Sequence, residues 1–392
     1  MSRNFGVVVR GVRAPIIRPG DDLVRIVADT ISHAVKEENI TLKSNDIIGI
    51  TEAVVAKAQN NFAKLEDIST DISSKFGNEV GIVFPILSRN RFSHLLKGIA
   101  MGVEKVYIQL SYPSDEVGNH LVSQDEIDDA NINPYTDTLT EEEFEKIFGK
   151  TEHQWTKVDY VELYKSICNG KGTVIFSNDP KAILKYTKNV LTADIHTRAR
   201  TKKILKNAGA EIVYGLDEIL SEPINGSGYN PNYGLLGSNL STEDKVKLFP
   251  RDCNTFVNDV QKEIEKICGV NLNVLVYGDG AFKDPSAKIW ELADPVVSPG
   301  YTERLAGEPN ELKIKYIADT KLANLAKGEA EKELENMINN KPKTNTTFDS
   351  QGTTPRKFVD LIGSLCDLTS GSGDKGTPFI LIQGYFDNYA DS

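Results

Sequence analysis

Cysteine is sparse in this 392-residue chain, with Cys168, Cys253, Cys268 and Cys366 widely scattered. None forms a CxxC pair, which excludes a zinc knuckle and a dithiol redox motif. No apolar run approaches the ~20 residues that a membrane-spanning helix needs. The opening Met1-Ser2-Arg3-Asn4-Phe5-Gly6 has no apolar h-region of a secretion signal. His33, His94, His120 and His153 stand alone, with no partner at ligand spacing. A GxxxxGK[ST] phosphate loop is absent, and no internal repeat is visible. Positive charge is also in deficit. The net charge of -11 argues against a nonspecific grip on nucleic acid or an anionic membrane. These absences together set the expectation of a reduced, cytoplasmic protein.

What is present is ordinary globular material, 26% charged and 40% hydrophobic, long enough for two or three cores. The β-rich run Phe5 to Arg10 precedes Gly20-Asp21-Asp22. There a helix opens with Leu23, Ile26, Val27, Thr30, Ile31 and Val35 at helical spacing. Its two aspartates suit the positive end of the helix dipole. Ile47 to Thr51 reads as a second strand, and Val106 to Leu110 as a third. The acidic stretch Asp115 to Glu143 reads as a long surface excursion. Then strands and helices alternate: Gly172 to Phe176, a helix from Asp179, a short strand near Val190, a helix from Thr197, and Glu211 to Tyr214. Alternation of this kind predicts a small parallel α/β unit. Beyond the turn-rich connector Asn225 to Gly234 come a helix from Thr255 to Cys268, a strand from Leu272 to Tyr277 and a charged helix from Lys327 to Asn340. Lys341 to Thr354 is polar and irregular. A last helix from Lys357 to Leu368, a glycine-rich loop and the strand Phe379 to Gln383 close the chain.

Four constellations carry candidate chemistry. The loop Thr369-Ser-Gly-Ser-Gly-Asp-Lys-Gly-Thr-Pro378 has glycines that let a phosphate approach the backbone and Lys375 to neutralise it. The same residues would serve as a helix C-cap and turn. In Val276-Tyr-Gly-Asp-Gly-Ala-Phe-Lys-Asp284, Asp279 follows a buried strand, a common place for a catalytic or metal-binding carboxylate. An Asp-Gly turn is the structural alternative. Asp294 and Ser298 lie in a proline-fixed loop that either faces a ligand or is merely ordered. Asp194 and His196 are two apart and would share a face on a strand; a surface polar cluster is the other reading.

Three stretches carry a resemblance. Arg13-Ala-Pro-Ile-Ile-Arg-Pro-Gly-Asp-Asp-Leu23 resembles the opening G-x-P-x-I-x-x-G-D-D-L of the coenzyme F420-0:γ-glutamyl ligases, and Ile47 to Lys57 is similar to the strand, turn and lysine that follow there. Asn232-Tyr-Gly-Leu-Leu-Gly-Ser-Asn239 resembles the family's N-A-G-I-D-x-S-N, with Phe249 to Asp279 at matching spacing. Phe358-Val-Asp360-Leu-Ile and the loop through Gly371 and Pro378 to Gln383-Gly384 resemble A-D-E-[LI] and M-G-[EQ]-G-x-x-x-x-P. The long stretch between Lys57 and Asn232 exceeds what the family has there.

The resemblance implies an α+β fold: a ligase-like core made of residues 1–103 and 225–392, with residues 104–224 as an inserted small α/β, parallel-sheet domain. It implies a homodimer that uses GTP, or ATP, with Mg²⁺ or Mn²⁺, to activate a carboxylate as an acyl phosphate for attack by L-glutamate or a similar amino acid. The acceptor would be a small carboxylate other than F420-0. Carried over, the nucleotide positions are Ala14, Pro15, Ile16, Ile17, Lys57, Asn239 and the loop Gly371, Ser372, Gly373, Asp374, Lys375, Gly376, Thr377 and Pro378. Lys57, Asp279 and Lys375 take catalytic roles, and Asp279 with Asp374 the metal. The chain also departs from the pattern. Glu52 stands at a family serine, and Leu236 and Gly278 stand at metal aspartates, where neither can donate oxygen. Asp284 and Asp294 are available replacements. A catalytically inactive nucleotide- or metabolite-binding protein on the same fold is therefore the alternative, and an unrelated α/β transferase built on the middle segment a third.

Overall fold

The computed structural model describes residues 6–153, 156–280, 294–341, 350, 356–371 and 373–390. Two large sheets and a three-stranded one organise it, a mixed α/β arrangement. The first large sheet draws on both ends of the chain, in the order Val8–Val12, Phe379–Gln383, Ile47–Thr51, Asn273–Tyr277, Gly300–Tyr301. Only the Ile47–Thr51 and Asn273–Tyr277 pair is parallel. Side chains alternate across each strand. Ile48, Ile50, Val274, Val276, Phe379 and Leu381 pack on one face under helices Leu23–Glu37 and Cys253–Cys268. Ile47, Leu275, Tyr277, Ile380 and Ile382 pack on the other, under helix Phe358–Thr369. Both faces are covered, so these strands read as continuous apolar runs. Gly49 allows the close approach of that last helix, because a Cβ there would run into the Cys366 sulfur.

The second sheet has the order Leu139–Thr140, Gly172–Phe176, Lys105–Leu110, Glu79–Val83, Asn189–Thr192, Ile212–Gly215. All neighbours are parallel except the short Leu139–Thr140 edge. Numbered along the chain, the five parallel strands run 3-2-1-4-5, the order of a doubly wound sheet. Helices Leu65–Phe76, Phe92–Met101 and Tyr160–Ile167 pack on one face. The 3₁₀ turn Pro180–Lys185 and helix Arg198–Asn207 cover the other. The strand Glu79–Val83 sits between Lys105–Leu110 and Asn189–Thr192, so a division at residue 103/104 falls between two paired strands; this sheet begins before it. Periodicity missed the strand because Glu79 and Gly81 interrupt a short apolar run. Residues 115–143 are also less of an excursion than expected, since Val117, Leu121, Val122 and Ile127 are buried against this sheet's core. The third sheet, Asn239–Thr242, Lys245–Lys247 and Phe62–Lys64, lies where the chain passes between the two.

Local rules account for most boundaries. Asp22 caps helix Leu23–Glu37 by accepting from the Arg25 amide at 3.1 Å. The first strand, Val8–Val12, ends two residues beyond the run that propensity suggested, where register against Phe379–Gln383 fixes it. No helix among the described residues is long and apolar enough to cross a membrane.

Candidate functional site

Strand register brings distant segments to one edge of the five-stranded sheet. Val12 lies opposite Phe379, Phe379 opposite Ile50, Tyr277 opposite Thr51, and Val276 opposite Gly300. The segments that leave or enter at this edge are therefore residues 13–17, the loop 371–378, helix Glu52–Ala58, and residues 278–280 and 294–299. Loops at the carboxyl ends of adjacent parallel strands are a favoured place for ligands.

The nucleotide-type positions meet only in part. The Ala14 amide donates to the Gly376 carbonyl at 3.1 Å, and a Cβ at Gly11 would crowd Thr377. The loop closes on itself through Thr377 N–H to Gly371 O, 3.1 Å, and Gly371 N–H to Thr377 Oγ1, 3.0 Å. Pro378 O accepts from the Thr51 amide at 3.1 Å. Gly373, Asp374, Lys375 and Gly376 are exposed on it. Lys375 lines an open groove of about 750 Å³ with Arg10, Arg13 and Thr377. Pro15 and Ile16 are exposed and Ile17 is buried in the core. Lys57 is exposed on helix Glu52–Ala58 and does not line that groove. Asn239 sits on the small sheet opposite Lys247. Ser372 and Asp284 lie outside the described residues.

A dense charge cluster occupies the strand ends themselves. Arg91 donates to Asp294 Oδ1 at 2.9 Å and pairs with Asp279 through its other terminal nitrogen. Asp294 Oδ2 accepts from the Asp279 amide at 2.6 Å. A Cβ at Gly278 would collide with that same Oδ2. The missing side chain at Gly278 thus leaves the space in which the Asp294 carboxylate lies. Beside it, buried Glu52 pairs with buried Lys247, and its Oε2 has no hydrogen-bond donor among the described residues. Burial raises the Glu52 pKa, against the pull of Lys247. Asp367 accepts from the Gly280 amide at 3.1 Å, and burial raises its pKa too, with Asp294 adding to the shift. Burial alone would lower the Arg91 pKa, but Asp294 and Asp279 outweigh it, so the guanidinium stays charged.

Asp279 and Asp374, expected to share a metal, belong to different surroundings. Asp279 faces Arg91 and Asp294, whereas Asp374 is exposed on the loop beside Ala14. Leu236 is buried among apolar side chains. Among the described residues no group of three or more His, Cys, Asp or Glu side chains is placed to hold a metal ion. Sequence reasoning missed Arg91, Lys247 and Asp367. Arg91 stands at the N-cap position of helix Phe92–Met101 without a capping bond from its side chain, and Asp367 lies near the end of helix Phe358–Thr369. Each charge opposes the helix dipole there, a cost that invites a search for another partner.

The crevice at the carboxyl ends of Glu79–Val83 and Asn189–Thr192, the switch point of the doubly wound sheet, is filled by the chain itself. The Glu116 carboxylate accepts from the amides of Ile195, His196 and Thr197 at 2.6, 3.0 and 3.0 Å. Asp194 accepts from the hydroxyls of Thr197 and Thr201, both at 2.7 Å, so it and His196 lie past the strand rather than sharing a face on it.

A mixed α/β chain with a loop-built, charge-dense site at one sheet edge is the class of protein that fold and site define. The pattern of the F420-0:gamma-glutamyl ligases matches residues 11–384, and the chain belongs to that family. The coenzyme F420:L-glutamate ligase of Methanosarcina acetivorans is 36% identical over 84 residues, 20% of this chain and 30% of that protein. The alignment thus spans less than a third of that relative's length.

Proposed function

We propose that this chain is a nucleotide-dependent ligase that joins the amino group of L-glutamate, or a similar amino acid, to a small carboxylate other than F420-0, forming a γ-glutamyl-type amide. GTP or ATP would supply the phosphoryl group. The observation that carries the reading is the meeting of Ala14, the loop 371–378 and the acidic strand ends on one sheet edge, in a member of this family. In the first step a carboxylate oxygen attacks the γ-phosphorus and the nucleoside diphosphate leaves. In the second the amine nitrogen attacks the acyl carbon, inorganic phosphate leaves, and the amine gives up a proton. Lys375, Arg10 and Arg13 would set positive charge against the phosphates, and the loop glycines would bring backbone N–H groups close to them. Glu52 and Asp367, with pKa values raised by burial, are the candidates for moving the proton.

The protein-held Mg²⁺ or Mn²⁺ that the resemblance implies does not fit the donors present, so no step is routed through one. A divalent ion would enter with the nucleotide phosphates. In this reading the doubly wound sheet is an insert that selects the acceptor, and the active form is a cytoplasmic homodimer.

Calorimetric nucleotide titration, with and without Mn²⁺, followed by phosphate release with glutamate and a panel of carboxylates, tests the proposal. Lys375→Ala should weaken nucleotide binding about tenfold, ~1.4 kcal/mol; unchanged affinity would remove the loop from the site. Tight binding without phosphate release across the panel would sink the ligase. It would leave the binding-protein reading, which Leu236 and Gly278 favour.

A further inference from the structure

Arg91 reaches the acidic strand ends from a stretch of chain that none of the three family-like segments covers. Its loop leaves the carboxyl end of strand Glu79–Val83 and is held at several points. Asp115 accepts from the Leu87 amide at 2.7 Å, Tyr164 Oη from the Ser88 amide at 3.0 Å, and Ser88 Oγ from the Arg91 amide at 3.0 Å. Leu240 N–H donates to Asn90 O at 2.9 Å, tying the loop to the small sheet. A guanidinium held in this way is a fixed positive charge, and its fork matches two carboxylates.

Three further observations define where that charge sits. It lies between Asp279 and Asp294, with Asp294 occupying the space of the side chain missing at Gly278. Glu52, 6% exposed, keeps an oxygen with no donor among the described residues, and Asp294 and Arg91 act on its carboxyl in opposite directions. Lys247 neutralises only the other oxygen of Glu52. The arrangement has the charge of a cation site, with a side chain in the place of the cation.

We infer that the Arg91 guanidinium takes the place of a divalent metal ion between Asp279 and Asp294. The chain thereby carries its own cation between these carboxylates, and a metal ion would gain them only in a variant that lacks Arg91. The identity of the ion rests on the ligase reading. The test does not, because ion binding is measured without nucleotide or turnover.

Mn²⁺ binding to the full, nucleotide-free chain is followed by electron paramagnetic resonance. R91Q removes the charge and keeps an amide donor. It should bind Mn²⁺ at least about tenfold more tightly than the wild type, a margin of ~1.4 kcal/mol. The gain should vanish in the R91Q/D294N double variant. Equal affinity in wild type and R91Q, or a gain that survives in the double variant, overturns the inference. Should R91Q fail to fold, D279N carries the test on an otherwise intact chain. The inference requires Mn²⁺ binding by the wild type and by D279N to be the same. Weaker binding by D279N would place the ion, not the guanidinium, between the carboxylates.

Discussion

Exchanging glycine and aspartate between Gly278 and Asp294 asks whether a carboxylate at one position takes the other's place in space. Gly278→Asp alone puts a second carboxylate where Asp294 Oδ2 already lies. Two such charges ~4 Å apart repel by about 4 kcal/mol at an effective dielectric of 20, and the added volume costs about 1–3 kcal/mol more. Arg91 offsets part of this, so a net loss of about 3–5 kcal/mol follows. Asp294→Gly alone strips Arg91 of one partner and the Asp279 amide of its acceptor, also about 3–5 kcal/mol. The double variant returns one carboxylate to Arg91 in nearly the same space and should lie much nearer the wild type than the sum of the singles. Urea unfolding of the four proteins, followed by circular dichroism, yields the coupling energy directly. It should favour the pair by at least about 2 kcal/mol, against ~0.5 kcal/mol for independent sites. Additive single losses would refute the idea that Asp294 stands in for the carboxylate missing at Gly278.

Two other outcomes follow from packing and charge. Gly49→Ala should cost about 1–3 kcal/mol because its methyl group meets the Cys366 sulfur, and thermal unfolding should show Cys366→Ala restoring most of that loss. Burial pushes the Asp115 carboxyl up to about 6, above its unfolded value of 3.8, although four hydrogen bonds oppose the shift. Its folded form therefore holds a proton that the unfolded chain gives up sooner. This contribution is full below pH ~4 and is lost as pH rises through about 6, on the order of 3 kcal/mol in all. In Asp115→Asn that pH slope should disappear from the denaturation midpoints between pH 4 and 7; an unchanged slope would refute the assignment.

Elements with strong local signals could be read directly from the chain. Ile47–Thr51, Gly172–Phe176 and Phe379–Gln383 fell where the apolar runs placed them, and the helix opened by Asp22 began at Leu23. Capping, periodicity and β-branched runs are encoded within a few residues. The Glu79–Val83 strand escaped because its pattern is short and broken, and its place in the sheet is set by two neighbours far along the chain. The same division holds for the site. The order of family-like segments was legible, and with it the loop 371–378, Ala14 and Asp279. Arg91, Lys247 and Asp367 were not, because each acts on a partner many residues away.

The sequence by itself determined the family, the alternation of strands and helices, and the absence of oxygen donors at Leu236 and Gly278, since all three are properties of residue type and local order. The tertiary structure alone decided what surrounds Gly278. Sheet register set the strand ends side by side, Gly278 left room for Asp294, and the loop after Glu79–Val83 delivered a guanidinium between two carboxylates. Charge interactions depend on distance in space and on burial, and neither is written in the spacing of residues along a chain.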